Sequence, residues 1–112
     1  MVDCLFCKIV AGDIPAEVVR ESDRFVAFRD VDPQAPTHVL VIPREHVSSL
    51  AHADDESMVG GLLHFAREVA AAEGISENGY RVVFNTNSDG GQTVFHLHGH
   101  VLGGRALGWP PG

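Results

Sequence analysis

The stretch that decides the fold runs from Val94 to Gly103 and reads Val-Phe-His-Leu-His-Gly-His-Val-Leu-Gly. His96, His98 and His100 stand at alternate positions, a spacing that sends the side chains of a β-strand out of one face. Leu97 is expected on the opposite face. Neighbouring imidazoles would lie roughly 6.5 Å apart and the outer two about 13 Å apart, from the rise per strand residue. One small ion cannot bind all three, so we expect His98 to face a reacting atom while the outer two serve its flanks.

The composition indicates a folded chain with one domain, residues 1–112. Hydrophobic residues make up 45% of the 112, and no apolar run approaches membrane-spanning length. The first four residues lack the basic start and apolar stretch of a secretion signal, so we expect a cytosolic protein. Lys and Arg number 8 against 15 for Asp and Glu, a formal charge of −7. That charge disfavours binding to a nucleic-acid polymer but permits a mononucleotide, because backbone amides can hold a phosphate.

The order of turn residues and apolar runs predicts an α+β domain with a five-stranded, mostly antiparallel sheet. A short N-terminal helix should end at Gly12. The run His38–Pro43 is continuously apolar and flanked by prolines, which suggests a central strand covered on both faces. The other predicted strands begin at Val18 or span 25–30, 80–86 and 94–103.

A long helix is predicted from a cap at Asp54 or Asp55 to about Glu73, with Gly74 as its stop. Two glycines inside it, Gly60 and Gly61, each cost about 1 kcal/mol relative to alanine, so some close backbone approach is expected there. The apolar stripe is wide, with Met58, Leu62, Phe65 and Val69 on one face and Val59, Leu63, Ala66 and Ala70 beside them. These features indicate a homodimer or, alternatively, a broad core helix with one weak point.

The loop 85–93 joins the last two predicted strands and contains paired glycines followed by Gln92 and Thr93. Such a turn can point successive backbone N–H groups inward and form an anion-binding nest beside His98. The Thr93 hydroxyl and the Asn85 amide would add polar groups. Taken alone, the loop is typical of a structural hairpin turn. Its position next to the aligned histidines favours a phosphate site.

His98 has the properties of a nucleophile toward phosphorus. A neutral imidazole is nucleophilic near pH 7 and can form a phosphohistidine that water later cleaves. Attack through Nε2 requires that the Nδ1–H be held, most simply by a backbone carbonyl. His100 would contact the phosphoryl oxygens or the leaving group. Charge in the transition state would be met by the loop amides, Thr93 and the imidazoles.

The run His96-Leu97-His98-Gly99-His100-Val101-Leu102 resembles the His-x-His-x-His-x-x signature of the histidine triad (HIT) superfamily. Similarity to its Hint branch, the purine nucleoside phosphoramidases, extends over nearly the whole chain, in Phe28-x-Asp30, Pro33–His38, Val41–Pro43, Asp89–Gln92 and Trp109–Gly112. The resemblance implies a HIT-like fold and a homodimer with a ten-stranded sheet. It also implies hydrolysis of AMP linked to an amine or acyl group, with no cofactor required for catalysis.

The resemblance further implies site residues. His98 would become adenylylated, and the other catalytic groups would be His100, His96, His38 and Thr93. Asp30 would hold the ribose hydroxyls. The implied nucleotide-binding residues are Phe6, Ile9, Ile14, Phe28, Asp30, Val31, Asn85, Gly91, Gln92, Thr93, His98 and His100. Two residues depart from the family pattern: Gly99, expected to face away from the site, replaces a larger apolar residue, and Thr93 replaces the serine of eukaryotic relatives.

Cys4-x-x-Cys7 raises the question of a metal, since two cysteines imply no disulfide framework. Resemblance to bacterial HIT proteins with this opening implies a tetrahedral structural zinc site of Cys4, Cys7, His46 and His96. The outer position of His96 in the histidine row agrees with this. The alternative is two reduced cytosolic thiols. We expect His52 and His64 to lie on the surface, and Trp109 to dock against the domain.

Two other functions fit the same residues. A metalloenzyme would use His96 and His98 as a chelating pair, completed by His38 or Asp30. A nucleotide-binding module without catalysis would use the same pocket and would not depend on His98 as a nucleophile.

Overall fold

The computed structural model describes residues 3–112 and contains a five-stranded antiparallel sheet with a long helix against one face. The elements in chain order are α1 (Leu5–Ala11), β1 (Val18–Glu21), β2 (Phe25–Arg29), β3 (Thr37–Pro43), a 3₁₀ turn (Leu50–His52), α2 (Glu56–Ala72), β4 (Tyr80–Val83) and β5 (Gly99–Gly103). The strand order is β1-β2-β3-β5-β4, with every neighbouring pair antiparallel. The predicted α+β fold is confirmed. Within residues 3–112, no helix is long and apolar enough to cross a membrane.

Strand β3 is central and contributes to a core on each face of the sheet. Val39 and Val41 pack in the larger core with α2. Leu40 and Ile42 alternate with them and pack in the smaller core on the other face, together with Phe6 of α1. This confirms the prediction of a central strand covered on both sides. The smaller core forms the floor of the candidate site described below.

Helix α2 begins where the sequence indicates, because the Asp55 carboxylate accepts hydrogen bonds from the backbone N–H groups of Ser57 and Met58. A Cβ at Gly61 would lie only 3.0 Å from the Phe25 ring, which is the expected close approach. Gly60 shows no such approach, since no described atom lies within 4 Å of the equivalent position. Leu63 is 49% exposed, so the apolar stripe extends beyond the core.

The strand that carries the histidines is shorter than predicted, and its predicted first residue was wrong. Strand β5 begins at Gly99 instead of Val94, and β4 ends at Val83 instead of Thr86. The reason lies in the hydrogen bonds before Gly99: the Leu97 N–H donates to the Val47 carbonyl, and the Pro43 carbonyl pairs with the His96 ring. Leu97 nevertheless points to the face opposite the histidines, as predicted, and packs there in the larger core.

Gly99 faces the larger core and points away from the site, as expected. A Cβ there would lie 2.8 Å from the Phe84 ring and 3.2 Å from Val41, so the ring occupies the space that a larger residue would need. Trp109 is 82% exposed and lies against the Arg81 guanidinium, 5.7 Å from the ring centre. The predicted docking of Trp109 is therefore limited to this cation–π contact.

Candidate active site

A cavity of about 360 Å³ opens between α1, the end of β2 and the beginning of β5. Eight of the predicted nucleotide-binding residues line it: Phe6, Ile9, Phe28, Asp30, Val31, Thr93, His98 and His100. The sequence interpretation missed Leu5, Pro15, Ala16, Glu17, Arg29, Leu40 and Val94, which also line it. The strand alternation in His38–Pro43 contained a signal for Leu40, since it shares a face with His38. Four other predicted residues lie outside this lining: Ile14, Asn85, Gly91 and Gln92.

The His98 ring is held in one orientation. Its Nδ1–H donates to the His96 carbonyl at 2.7 Å, which confirms the expected backbone acceptor and leaves a lone pair on Nε2. The ring is 8% exposed, and the Phe6 ring meets it edge-on with centroids 5.1 Å apart. Burial lowers the pKa of His98, while the His96 carbonyl and Asp30 act in the opposite direction. His98 is therefore a neutral imidazole at the wall of the cavity.

A chain of hydrogen bonds through His38 fixes the proton of His100. The backbone N–H of Gln34 donates to His38 Nδ1 at 3.0 Å, so the His38 proton lies on Nε2. That Nε2 is 2.9 Å from His100 Nδ1 and 3.3 Å from an Asp30 oxygen. His100 Nδ1 accepts a hydrogen bond from His38 Nε2–H, so the proton of His100 lies on Nε2, where no residue of 3–112 accepts from it. Burial, and then His98 and His38, lower the pKa of His100 to about 4.

The two rings therefore offer complementary groups to one cavity. His98 and His100 lie with centroids 5.0 Å apart, one with a basic Nε2 and the other with an Nε2–H. A nucleophile next to a hydrogen-bond donor suits attack on an electrophile whose oxygens gain negative charge. Thr93 adds a hydroxyl to the same lining. This arrangement fits transfer of a phosphoryl or nucleotidyl group to His98.

The structure does not bring together the chelating pair that the alternative metalloenzyme function requires. The His96 ring faces the two cysteines, whereas His98 lines the cavity, so the two imidazoles do not converge. Asp30, His38 and His100 do bring ligand atoms within 4.8 Å of one another. However, His38 Nε2 carries the proton because its Nδ1 accepts from Gln34, and a metal needs a free lone pair there. These three residues are better described as a hydrogen-bonded chain.

Two of the backbone N–H groups expected in the anion nest have partners within the loop. The Gly91 and Gln92 N–H groups already donate to the carbonyls of Ser88 and Asn87, at 3.0 and 3.1 Å. The Gln92 side chain is 7% exposed and braces the loop instead: it accepts from the Asn87 N–H and donates to the Ser48 and Val94 carbonyls. The loop closes on its own backbone, so Thr93 is its contribution to the cavity lining.

A second cluster lies behind His96, where Cys4, Cys7, His46 and His96 bring their ligand atoms within 4.8 Å of one another. His96 Nε2–H donates to the Pro43 carbonyl at 2.8 Å, which leaves the Nδ1 lone pair facing the Cys4 and Cys7 sulfurs at 3.5 and 3.6 Å. The Cys7 sulfur is 3.4 Å from His46 Nδ1. A sulfur and a nitrogen on one tetrahedral zinc lie roughly 3.5 Å apart, so the donor set fits this metal.

Comparison with known proteins gives the same family throughout. The model of the HIT domain matches residues 11–107. The chain is 47% identical to the "14 kDa zinc-binding protein" of Zea mays, covering 96% of this chain and 87% of that protein. It is 44% identical to the "Purine nucleoside phosphoramidase" of Escherichia coli K12, covering 95% and 91% respectively.

Solved structures agree with the fold. A HIT family hydrolase from Legionella pneumophila Philadelphia 1 is 54% identical, with a TM-score of 0.95 and coverage of 98% of this chain and 100% of that one. A zinc-bound histidine triad family protein from Mycobacterium smegmatis is 34% identical, with a TM-score of 0.83 and coverage of 92% and 76%.

Proposed function

Since the chain belongs to the HIT domain family, we propose that it hydrolyses the bond between a purine nucleoside 5′-monophosphate and an amine or acyl leaving group. The observation that carries this proposal is the pairing of the unprotonated Nε2 of His98 with the Nε2–H of His100 in one cavity. The phosphoramidase name of the Escherichia coli relative supports the substrate class. One HIT domain would account for residues 1–112.

The reaction would proceed in two displacements at phosphorus. In the first, His98 Nε2 forms a bond to phosphorus while the bond to the leaving group breaks, and the leaving group departs with the electron pair and takes a proton from solvent. His100 Nε2–H would donate a hydrogen bond to a phosphoryl oxygen or to the departing atom, and the Thr93 hydroxyl would add a second contact. In the second, water attacks phosphorus and releases a proton to solvent, the electron pair of the P–N bond returns to His98 Nε2, and AMP is released from the neutral histidine.

The cavity lining suggests how the nucleotide would lie. Phe6, Ile9 and Phe28 form an apolar wall suited to the purine, and the fully exposed Val31 stands at its rim, where a base would cover it. Asp30 would hold the ribose hydroxyls. Residues outside the lining stay predictions as nucleotide contacts: Ile14, Asn85, Gly91 and Gln92.

The cysteine cluster is proposed to hold a structural Zn²⁺, which catalysis would not use. The tetrahedral spacing of its donors supports this, and so do the zinc-binding relatives. When bound, zinc would tie α1 to His96. We also propose that the protein is a homodimer, lies in the cytosol and binds neither a nucleic-acid polymer nor a membrane. The charge of −7 supports the absence of nucleic-acid binding.

The proposal is tested by AMP release from adenosine 5′-phosphoramidate with the zinc-loaded protein. His98→Ala should abolish release. After a rapid quench, the intact mass of the wild-type protein should show an adenylyl adduct, and peptide mapping should locate it on His98. His64→Ala is the matched control, because that exposed histidine lies outside the cavity. AMP release that survives His98→Ala, or an adduct on another side chain, would contradict the mechanism. AMP binding without release would favour the non-catalytic module.

A further inference from the structure

We propose that the cluster of Cys4, Cys7, His46 and His96 is coupled to the nucleotide cavity, so that zinc and nucleotide each raise the affinity for the other. This inference rests on the proposed function and adds regulation of the same site. The reason is that two segments, α1 and the residues 96–98, each supply metal ligands and cavity residues. Fixing these segments for one ligand therefore prepares them for the other.

His96 connects the metal cluster directly to the nucleophile. Its Nδ1 faces the thiols, and its backbone carbonyl is the acceptor that holds His98 Nδ1–H at 2.7 Å. These residues precede the β5 ladder, which begins at Gly99, so neighbouring strands do not fix their backbone. Leu97 N–H to Val47 and the His96 ring to Pro43 are the polar anchors of this segment. A metal on His96 Nδ1 would add a further anchor and hold the carbonyl in place.

Helix α1 makes the second connection. Cys4 is its N-cap and Cys7 lies in its first turn, while Phe6 between them reaches into the cavity. The Phe6 ring meets Phe28, His96 and His98 edge-on, with centroids 5.4, 6.0 and 5.1 Å apart. A helix of 7 residues is too short to be stable alone, so its position depends on tertiary anchors. Both cysteine ligands belong to those anchors.

The two connections give the coupling a definite sign. Zinc binding would order α1 and the residues 96–98, and nucleotide binding requires both to be in place. The second ligand then loses less conformational entropy on binding, so cooperativity is positive. Linkage makes the effect reciprocal and of equal size for both ligands. We expect a factor of about ten, within the usual range for coupled sites.

The experiment uses AMP, the proposed product, as a probe that binds without reacting. Its Kd is measured for zinc-loaded protein and for protein stripped with a chelator, and we expect about tenfold weaker binding after stripping. Zinc affinity, measured by competition with a chromophoric chelator, should rise by the same factor at saturating AMP. Equal AMP affinity in both forms overturns the coupling and leaves the proposed function intact. Failure of the zinc-loaded protein to bind AMP at all would defeat the proposed function itself.

A matched pair of variants separates the metal effect from general damage to α1. Cys7→Ser removes one ligand and should weaken AMP binding at a zinc concentration that saturates the wild type. Lys8→Ser changes the next residue, whose side chain is 47% exposed and paired with Asp3, and should bind AMP like the wild type. Equal AMP binding by both variants contradicts the coupling.

Amide hydrogen exchange distinguishes local coupling from loss of the whole fold. Stripping the metal should speed exchange in residues 4–12 and 94–98 and leave β3 protected, since β3 lies in the middle of the sheet. Saturating AMP should partly restore protection in the same two segments. Faster exchange throughout β3 would mean global unfolding and would overturn the proposal.

Discussion

His98 carries its proton on Nδ1 whereas His96 and His100 carry theirs on Nε2, because each ring has a different fixed partner. The Pro43 carbonyl takes the Nε2–H of His96, and the His96 carbonyl takes the Nδ1–H of His98. His100 instead accepts at Nδ1 from His38. One residue type thus provides the proposed metal ligand, the proposed nucleophile and a hydrogen-bond donor. The chemistry depends on the backbone around each ring more than on the ring itself.

Burial of His100 predicts a loss of stability in mild acid. Its pKa is about 4 in the folded protein against an ordinary value of 6.5, because burial and the neighbouring His98 and His38 disfavour the charged ring. The unfolded chain therefore binds the proton first, and stability falls as pH drops from 6.5 toward 4. A single group whose pKa is lowered by folding can reduce the free energy of unfolding by up to about 1.4 kcal/mol for each pH unit in this range. Asp30 moderates the effect by favouring the charged form.

The measurement is urea unfolding of wild type and His100→Gln between pH 7 and pH 4 at equal zinc loading. Glutamine can still accept a hydrogen bond from His38 but does not titrate. The free energy of unfolding of the variant should therefore fall less steeply with decreasing pH than that of the wild type. The difference between the two curves should open below pH 6.5. Parallel curves would show that His100 titrates alike in both states, against this account.

The sequence predicted that His98 and His100 would line one cavity, whereas His96, also expected among the catalytic groups, faces the cysteines. Alternation along residues 94–103 indicated that Leu97 points away from His98, as it does. The protons of His96 and His100 depend on partners 53 and 62 positions away along the chain, which no local pattern contains. The hydrogen bonds of the loop 85–93 could not be predicted for a related reason. Residue types there permit a nest, but the turn directs the Gly91 and Gln92 N–H groups to its own carbonyls.

Among the elements, β3 and α2 were predicted closely because each has a strong local signal. The apolar run of β3 and the Asp55 cap of α2 need no distant partner to be recognised. The start of β5 is different, because a ladder also requires a partner backbone. The His96 ring donates to the Pro43 carbonyl and the Leu97 N–H donates to the Val47 carbonyl. Strand pairing therefore stops there, although the alternation of side chains continues.

The two glycines of α2 should respond in opposite ways to alanine. Gly60→Ala should raise the free energy of unfolding by about 0.5–1 kcal/mol, because alanine restricts the unfolded chain and no described atom obstructs the new methyl group. Gly61→Ala places its Cβ 3.0 Å from the Phe25 ring, which also packs against Phe65. That overlap should cancel the gain or reverse it.

Urea unfolding of the two single variants beside the wild type checks this, with unchanged m-values required for the comparison. The pair forms its own control, since both changes have the same helix propensity and lie one residue apart. Equal stabilisation by both would show that Phe25 moves freely and that the close approach has no cost.

For the whole molecule, the position of α2 on the sheet indicates which edge would pair in the proposed homodimer. Glu68 of α2 lies 3.7 Å from Arg20 of β1, so that side of the helix faces the β1 half of the sheet. Val59 and Leu63 lie on the opposite side of the helix, toward β4. Among the described strands, β4 forms one edge of the sheet, and an edge strand presents unpaired backbone groups. Pairing of two such edges would join five strands to five and cover the exposed apolar side of α2.

Leu63→Lys should therefore convert the dimer to monomers and raise the dimer dissociation constant at least about tenfold, because an unpaired charge would lie in an apolar contact. Lysine also reduces the net charge of each protomer from −7 to −6, so dissociation could not be ascribed to added repulsion. Val18→Lys is the matched control: Val18 is 44% exposed against 49% for Leu63, but lies on β1 at the other edge. Sedimentation equilibrium of the three proteins measures the effect. A dimer that survives Leu63→Lys and dissociates with Val18→Lys would place the contact at β1 instead.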